Sequence, residues 1–422
     1  MLNRNSVGRT LASRDACRSS QLNMNSVISQ FLQERIAAND FPSAVYLVAE
    51  KGEIVFQDAL GYAVVEPERI PATIDTIYDL ASLTKPLVTG LLAAQQIEDG
   101  DIKLTSKIND CLIGFETSWV GETTVLELAT HSSGLPNWRP LYLSAQSAWP
   151  KDIAEIISRQ TRRQDEEKVE YSDLNFIELC HIIEGSRPDT EYGFAVVDRL
   201  GLSRTSYNPL KQGFERHVIA ASEKGNEYER RMCVELGYLK DWNAGSLPAS
   251  NAEHSQSGRS DVSEHTDAVA NGSAAFRTHQ IWGEVHDGNA YFMGGVSGHA
   301  GLFSTAEEVF KIALQFLPNY TTLLKPETTE LFRTNFTKGM NEDRSFAFQL
   351  ASTKDSTAGE LMSPQSFGHL GFTGTSLWID PVKERIFILL TNRTHAHSLP
   401  FVNINSVRRQ FHDLAITELD KK

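Results

Sequence analysis

The chain of 422 residues is long enough for two or three domains, or for one large domain with an insertion, and its 41% hydrophobic content is ordinary for a soluble globular protein. A formal net charge of -14 argues against a nucleic-acid partner, and no apolar run reaches the length of a membrane span. Cys17, Cys111, Cys180 and Cys233 are scattered without a C-x-x-C pair, so free thiols in a reducing, cytoplasmic setting are the expectation.

Residues 1-24 carry Arg4, Arg9, Arg14 and Arg18 among serines and lack an apolar stretch, which reads as a disordered extension and not a secretory signal. Val27, Ile28, Phe31, Leu32 and Ile36 predict an amphipathic helix ending near Asn39-Asp40. The apolar runs starting at Ala44 and at Glu53 flank Lys51-Gly52 as a β-hairpin.

The stretch Tyr78-Asp-Leu-Ala-Ser82-Leu-Thr-Lys85 follows, where a strand-like run (Thr76, Ile77, Tyr78) turns into a helix. Leu87, Val88, Leu91, Leu92 and Ala94 form its buried stripe, and Ser82 and Lys85 share one face of its first turn. This is the only S-x-x-K in the chain. A serine hydroxyl needs a base to become a nucleophile, and a lysine amine serves only when neutral, a state favoured by burial and neighbouring positive charge. Moving a lysine from about 10.4 to near 7 takes roughly 4 to 5 kcal/mol of environmental bias. The first-turn amides of such a junction can also stabilise an oxyanion.

Downstream the pattern is mostly helical as far as Arg159. His131, in the loop Thr130–Trp138, reads as a structural histidine. Tyr171, in Glu170-Tyr-Ser-Asp173-Leu-Asn175, either packs at a helix entrance or places a phenol opposite Ser82. The region at about 246-275 has hardly any large apolar residue and is expected to be a long disordered insertion. Gly294–Phe303 is glycine-rich without a phosphate-loop pattern, which suggests close backbone packing beside a pocket. Near the C-terminus, His369–Ile379 and Arg385–Asn392 predict a second hairpin around Asp380–Lys383, with His369, Gly371, Thr373 and Thr375 on one face, before a final helix.

Strands at both ends with helices between them imply a mixed α/β domain from residues 25-100 and 290-422, interrupted by a helical domain at 101-289. No metal-ligand spacing or cofactor motif is found. The expected partner is a small-molecule substrate, with no nucleic acid and no membrane, and the oligomeric state stays open.

The order of motifs resembles the serine β-lactamase and penicillin-binding-protein superfamily, whose signature is S-x-x-K, then S-D-N or Y-x-N, then K-T-G. The likeness is to class C β-lactamase-like serine hydrolases, a branch with esterases, D-aminopeptidases and muropeptide amidases. It is carried by Ala81–Lys85, Thr130–Pro136, Tyr171–Asp173, Gly298–Thr305 and Gly368–Gly374. It implies a β-lactamase-like α/β (α+β) fold in which an antiparallel sheet is flanked by N- and C-terminal helices and carries an inserted all-helical domain. It further implies acyl transfer through a Ser82 ester without a cofactor, with Lys85 in proton transfer and Tyr171 as the acid or base serving the leaving group. His369 stands where the third motif has its cation, Gly371 keeps that strand open to substrate, and the amides of Ser82 and Phe372 hold the oxyanion.

Asp173 replaces the asparagine of Y-x-N, Leu370 replaces the threonine of K-T-G, and His369 carries charge only as pH allows. A carboxylate at Asp173 would repel a carboxylate-bearing substrate, so esters and small amides are expected to outrun penicillins. β-Lactamase, D-Ala-D-Ala carboxypeptidase or D-aminopeptidase activity is the alternative, and a non-catalytic ligand-binding relative is the alternative of another class.

Overall fold

The computed structural model describes residues 25-162, 168-188, 191-239 and 276-422. The extension expected at 1-24 and the insertion expected at about 246-275 lie outside them. The helix Ser26–Ala37 starts where Asn25 Oδ1 accepts from the amides of Val27 and Ile28. β1 (Ser43–Glu50) and β2 (Glu53–Val64) then form the first hairpin. Its turn needs positive φ at both central positions, 51° at Lys51 and 78° at Gly52, the geometry that matches strand twist. Short β3 (Ile70–Pro71) extends the edge, and β4 (Tyr78–Asp79) leads into Ser82.

The middle of the chain is mainly helical, interrupted by β5 (Ser206–Tyr207), β6 (Ala221–Lys224) and β7 (Gln280–Trp282). β8 (Leu302–Ser304) pairs with β4 and β5. β9 (Gln349–Leu350), β10 (Phe367–Leu370), β11 (Ser376–Asp380) and β12 (Arg385–Thr391) complete a seven-stranded antiparallel sheet in the order β3-β2-β1-β12-β11-β10-β9. β1 pairs with β12, Ala44 opposite Thr391 through Glu50 opposite Arg385, so the two ends of the sequence meet at the centre of the sheet.

Both faces of this sheet are covered, which explains why its central strands are apolar at nearly every position. Side chains alternate between two cores. Val45, Leu47 and Ala49 of β1, with Ile386, Ile388 and Leu390 of β12, face the Ser82 helix. Tyr46, Val48, Phe387 and Leu389 face the terminal helices Ser26–Ala37 and Asn405–Leu419, meeting Ile28, Leu32, Phe411 and Ala415. The first core continues through Leu87, Leu91 and Ala94 into Val125, Leu128 and Ile153 of the helical middle, so the helix bearing Lys85 is held from both sides.

One expectation is corrected. His369–Ile379 is not a single strand: β10 ends at Leu370, the chain turns through Gly371–Thr375, and β11 returns beside it. The alternation carried across Gly371 and Gly374 belongs to a turn, in which Gly374 has a φ of 115° that a side chain would rarely adopt.

Candidate active site

Asp79 begins the site. Its Oδ1 accepts from the Ala81 amide at 2.8 Å and its Oδ2 from the His286 amide at 2.7 Å. This holds Ala81 at a φ of 47°, a conformation that costs a non-glycine residue about 1 to 3 kcal/mol and that presents the next residue, Ser82, to a cleft. Ser82 sits in a tight turn (Ala81–Leu83), followed by a single widened π turn (Lys85–Gly90) before the regular helix Leu91–Asp99. Such widened turns recur at functional positions.

Lys85 is completely buried, and its ammonium donates three times: to Ser82 Oγ at 2.9 Å, Asp173 Oδ1 at 2.7 Å and the His299 carbonyl at 3.0 Å. Burial alone would lower its pKa, but Asp173 and Tyr171 beside it overrule burial and hold it above its ordinary value. The expectation of a lysine neutralised by burial is therefore corrected: Lys85 is a cation, and Asp173 is not a lone negative charge but its ion-pair partner.

Tyr171 packs between His131, 4.4 Å between ring centroids, and His369, 5.7 Å. Its hydroxyl is buried without a hydrogen-bond partner. Burial raises its pKa while nearby Lys85 and Ser82 lower it, so the phenol keeps its proton with a net upward shift. His131 is the buttress: its Nδ1 accepts from the Ser172 amide at 3.1 Å, fixing the backbone that carries Tyr171.

The charge of His369, expected to depend on pH, is set by its surroundings. The residue is buried, its Nδ1 faces the Leu370 carbonyl at 2.9 Å, and its Nε2 has no partner. Burial, then Lys85 and Arg344, push its pKa well below the usual histidine range. It is a neutral imidazole with the proton on Nδ1 and a lone pair on Nε2, at the position where the third motif has its cation.

Gly371 and Phe372 border the cleft. A Cβ on Gly371 would lie 2.5 Å from the Leu80 carbonyl oxygen and would also strike the Thr375 side chain, so glycine is required for the turn to lie against the residues preceding Ser82. Thr373 Oγ1 donates to the Asp79 carbonyl at 2.7 Å and Thr375 Oγ1 to that of Leu80 at 3.0 Å. Arg408 Nη2 bridges the carbonyls of Gly371 and Thr375 at 3.0 and 2.9 Å, and Arg393 Nε donates to that of Phe372 at 2.7 Å. Among the described residues, the amides of Ser82 and Phe372 make no backbone hydrogen bond.

The cleft has a volume of about 420 Å³ and brings together Ser82, Tyr171, Asp173, His369, Gly371 and Phe372. It also brings in residues that sequence reasoning did not assign. Arg344 is 5% exposed, has one ion pair, Nη2 to Glu342 at 2.6 Å, and leaves Nε and Nη1 without partners while its guanidinium lies 5.5 Å from the Tyr171 ring centre. Asp287 and Glu229 also line the cleft. The glycine-rich loop was the only local signal for this second set: it delivers His299, whose carbonyl holds Lys85 and whose Nε2 meets Asp287 Oδ1 at 2.8 Å. Ligand atoms of Asp173, Asp287 and His299 lie within 4.8 Å of one another, yet the Lys85 ammonium already occupies the Asp173 oxygen.

Comparison with known proteins agrees with this fold. A protein from Escherichia coli (strain K12) named "Putative D-alanyl-D-alanine carboxypeptidase" is 28% identical over 391 residues, 84% of this chain and 79% of that one. Two solved structures share the fold: an octameric penicillin-binding protein homologue from Pyrococcus abyssi (TM-score 0.64, 16% identity, 93% of this chain and 77% of that one) and a class C β-lactamase from Rhodobacter sphaeroides (TM-score 0.61, 17%, 94% and 99%). The family model described as Beta-lactamase matches residues 28–408, a span that takes in both ends of the sheet and the whole cleft, and the chain accordingly belongs to the β-lactamase family and is a serine hydrolase.

Proposed function

We propose that the protein hydrolyses short D-amino-acid peptides or their ester analogues through an acyl-enzyme on Ser82, with a leaving group that carries a carboxylate. The observation behind the carboxylate is Arg344. Two guanidinium donors are buried beside Tyr171 without partners, at a cost of about 1 to 3 kcal/mol for each unsatisfied group and more for a charged one. A carboxylate accepts from such donors in short, charge-assisted bonds. The name carried by the Escherichia coli relative points to the same substrate class. The repulsion expected from Asp173 loses its basis, because that carboxylate is paired with Lys85.

In acylation Ser82 Oγ forms a bond to the substrate carbonyl carbon as the bond to the leaving nitrogen breaks. Lys85, already donating to Oγ, stabilises the developing alkoxide electrostatically. The serine proton moves to the phenol oxygen of Tyr171, beside Ser82, as the phenol's own proton moves to the leaving nitrogen, so that Tyr171 stays neutral throughout, with the neutral His369 ring 5.7 Å away. The amides of Ser82 and Phe372 take the oxyanion, each worth about 3 to 4 kcal/mol in the transition state. Water then repeats the sequence on the ester, with Tyr171 returning the proton to Ser82.

The test compares kcat/KM for N-acetyl-D-alanyl-D-alanine and for the same dipeptide with its C-terminus amidated, alongside intact-mass mapping of a fluorophosphonate adduct. A preference for the free carboxylate and a single adduct at Ser82 are expected. An equal or better rate on the amidated peptide, or labelling that survives Ser82→Ala, would remove this reading.

A further inference from the structure

We infer that Arg408 and Thr84 are positioning residues for the reaction: each holds the carbonyl of a peptide group whose N–H serves the oxyanion, and so aims and strengthens that N–H from behind. This rests on the hydrolase reading above, in which the amides of Ser82 and Phe372 take the oxyanion. The Phe372 amide shares its peptide group with the Gly371 carbonyl, and the Ser82 amide shares its own with the Ala81 carbonyl. A trans peptide is planar, with its C=O and N–H pointing in opposite directions. A donor fixed on the carbonyl therefore fixes the direction of the N–H on the far side.

On the Gly371 carbonyl the donor is a cation. Arg408, buried on the final helix, gives Nη2 to the carbonyls of Gly371 at 3.0 Å and Thr375 at 2.9 Å, and Nη1 to Asn405 Oδ1 at 2.9 Å. The Gly371 N–H donates to the same Thr375 carbonyl at 2.8 Å, so one guanidinium braces both ends of the turn. All three bonds from Arg408 end on neutral oxygens, and the charged neighbour that acts on it is Arg393, a second cation. A charge-assisted bond of this kind is roughly twice as strong as a neutral one, and here it pulls on the peptide group that ends in the Phe372 N–H. Arg393 differs in register: its Nε reaches the Phe372 carbonyl, which belongs to the following peptide group.

On the Ala81 carbonyl the donor is neutral and relayed. The Leu302 amide donates to Thr84 Oγ1 at 3.1 Å, and that hydroxyl donates to the Ala81 carbonyl at 2.7 Å. These bonds run in one sense, from the Leu302 N–H through the Thr84 hydroxyl into the Ala81–Ser82 peptide and out at the Ser82 N–H. Hydrogen bonds linked in that sense polarise one another, by about 10 to 30% for each bond. Thr84 is completely buried, so water does not compete for the Ala81 carbonyl from its side. The same bond steadies the peptide that follows Ala81, the residue held at a φ of 47°.

The experiment uses the full chain and p-nitrophenyl acetate with an isotope-labelled carbonyl, an activated neutral ester that offers no carboxylate for an arginine to hold. Steady-state rates give kcat and KM, and infrared difference spectra during turnover give the stretching frequency of the acetyl ester on Ser82. Stronger oxyanion donors lower that frequency, so the parent band is expected below that of a free ester in water. In Arg408→Met the band should rise towards the free-ester value, with kcat and kcat/KM both lowered about 10- to 100-fold and KM changed less than about twofold. The near-isosteric Thr84→Val should do the same to a smaller degree, about 3- to 10-fold in kcat. Arg408→Lys, which keeps the charge and can reach one carbonyl, should fall between the parent and Arg408→Met. Thermal unfolding checks each variant, and where Arg408→Met does not fold, Thr84→Val and Arg408→Lys carry the decision. Rates that fall while the band stays at the parent frequency would make both residues parts of the fold alone and overturn the inference, as would a change confined to KM. A parent band already at the free-ester frequency would overturn it while leaving the Ser82 acyl-enzyme standing, whereas no acetyl band on Ser82 in the parent would remove the hydrolase reading and the inference with it.

Discussion

The floor of the cleft and the wall behind Tyr171 each bury a positive charge, and they treat it differently. Lys85 on the floor is wholly enclosed, and all three of its protons are placed on oxygen atoms of the protein. Arg344 in the wall is nearly as buried, yet one ion pair to Glu342 leaves two of its nitrogens without acceptors. A saturated buried cation is part of the fixed electrostatic scaffold, whereas an unsaturated one is a receptor site whose desolvation is compensated only when ligand binds. Burial alone therefore does not tell which charged residues act in the resting protein and which act on substrate; the count of satisfied donors does.

The most severe way to test that contrast is to remove the floor cation. Lys85→Ala is expected to lower kcat by at least about 10³ and, by stranding Asp173, to destabilise the fold by about 3 to 5 kcal/mol in urea unfolding. Lys85→Ala combined with Asp173→Ala should regain much of that stability but none of the activity. A double variant no more stable than the single would mean that the pair is not the source of the cost.

Tyr171→Phe comes next, with an expected rate loss of about 10² to 10⁴. Nearly full activity in steady-state assays would reduce the tyrosine to packing between His131 and His369. A smaller effect is expected from the wall cation: Arg344→Leu should cut the preference for a carboxylate leaving group over its amide by about 10- to 100-fold while leaving stability unchanged or improved, since it deletes unpaired donors. A marked drop in melting temperature would place Arg344 with Lys85 on the scaffold side of the comparison.

The last effect is on stability and concerns pH. Burial, and then Asp287, push Glu229 up to about 7 in the folded protein from an ordinary 4.5, so between these values the native state holds a proton that the unfolded chain has lost. Its contribution to stability is full below about 4.5 and is lost as pH rises through about 7, by up to roughly 3 kcal/mol. Unfolding free energies of Glu229→Gln relative to the parent should show this slope removed. A parallel pH profile in the two proteins would show that Glu229 titrates as it does in the unfolded chain.

Ser82 and Lys85 were legible because one helical turn of adjacent sequence puts them together, and both hairpins were legible up to their turns because alternation and glycine are local signals. The break at Gly371–Thr375 was misread because alternation can be counted straight through a tight turn, and only the pairing of β10 with β11 reveals the reversal. Arg344, Asp287 and Glu229 carried no local mark. Their standing depends on which oxygen and nitrogen atoms the tertiary structure leaves unpaired, and an arginine in Glu342-Asp-Arg344 or an aspartate after His286 reads like any surface residue. The charge state of Lys85 was misjudged for the same reason: burial was foreseeable, but the Asp173 partner that reverses its effect was not, whereas at His369 the cations Lys85 and Arg344 add to the effect of burial.

The two amides offered to the oxyanion belong to parts of the chain tied together across sequence separations of 294 and 295 residues, from Asp79 to Thr373 and from Leu80 to Thr375. A ribosome makes Ser82 early and Phe372 late. Throughout most of the synthesis of this region Ser82 exists without the turn Gly371–Thr375 that carries Phe372, and the edge of β1 that β12 will cover is still without that partner. On the proposed mechanism, a product ending before Gly371 would retain Ser82 and Lys85 while being catalytically silent.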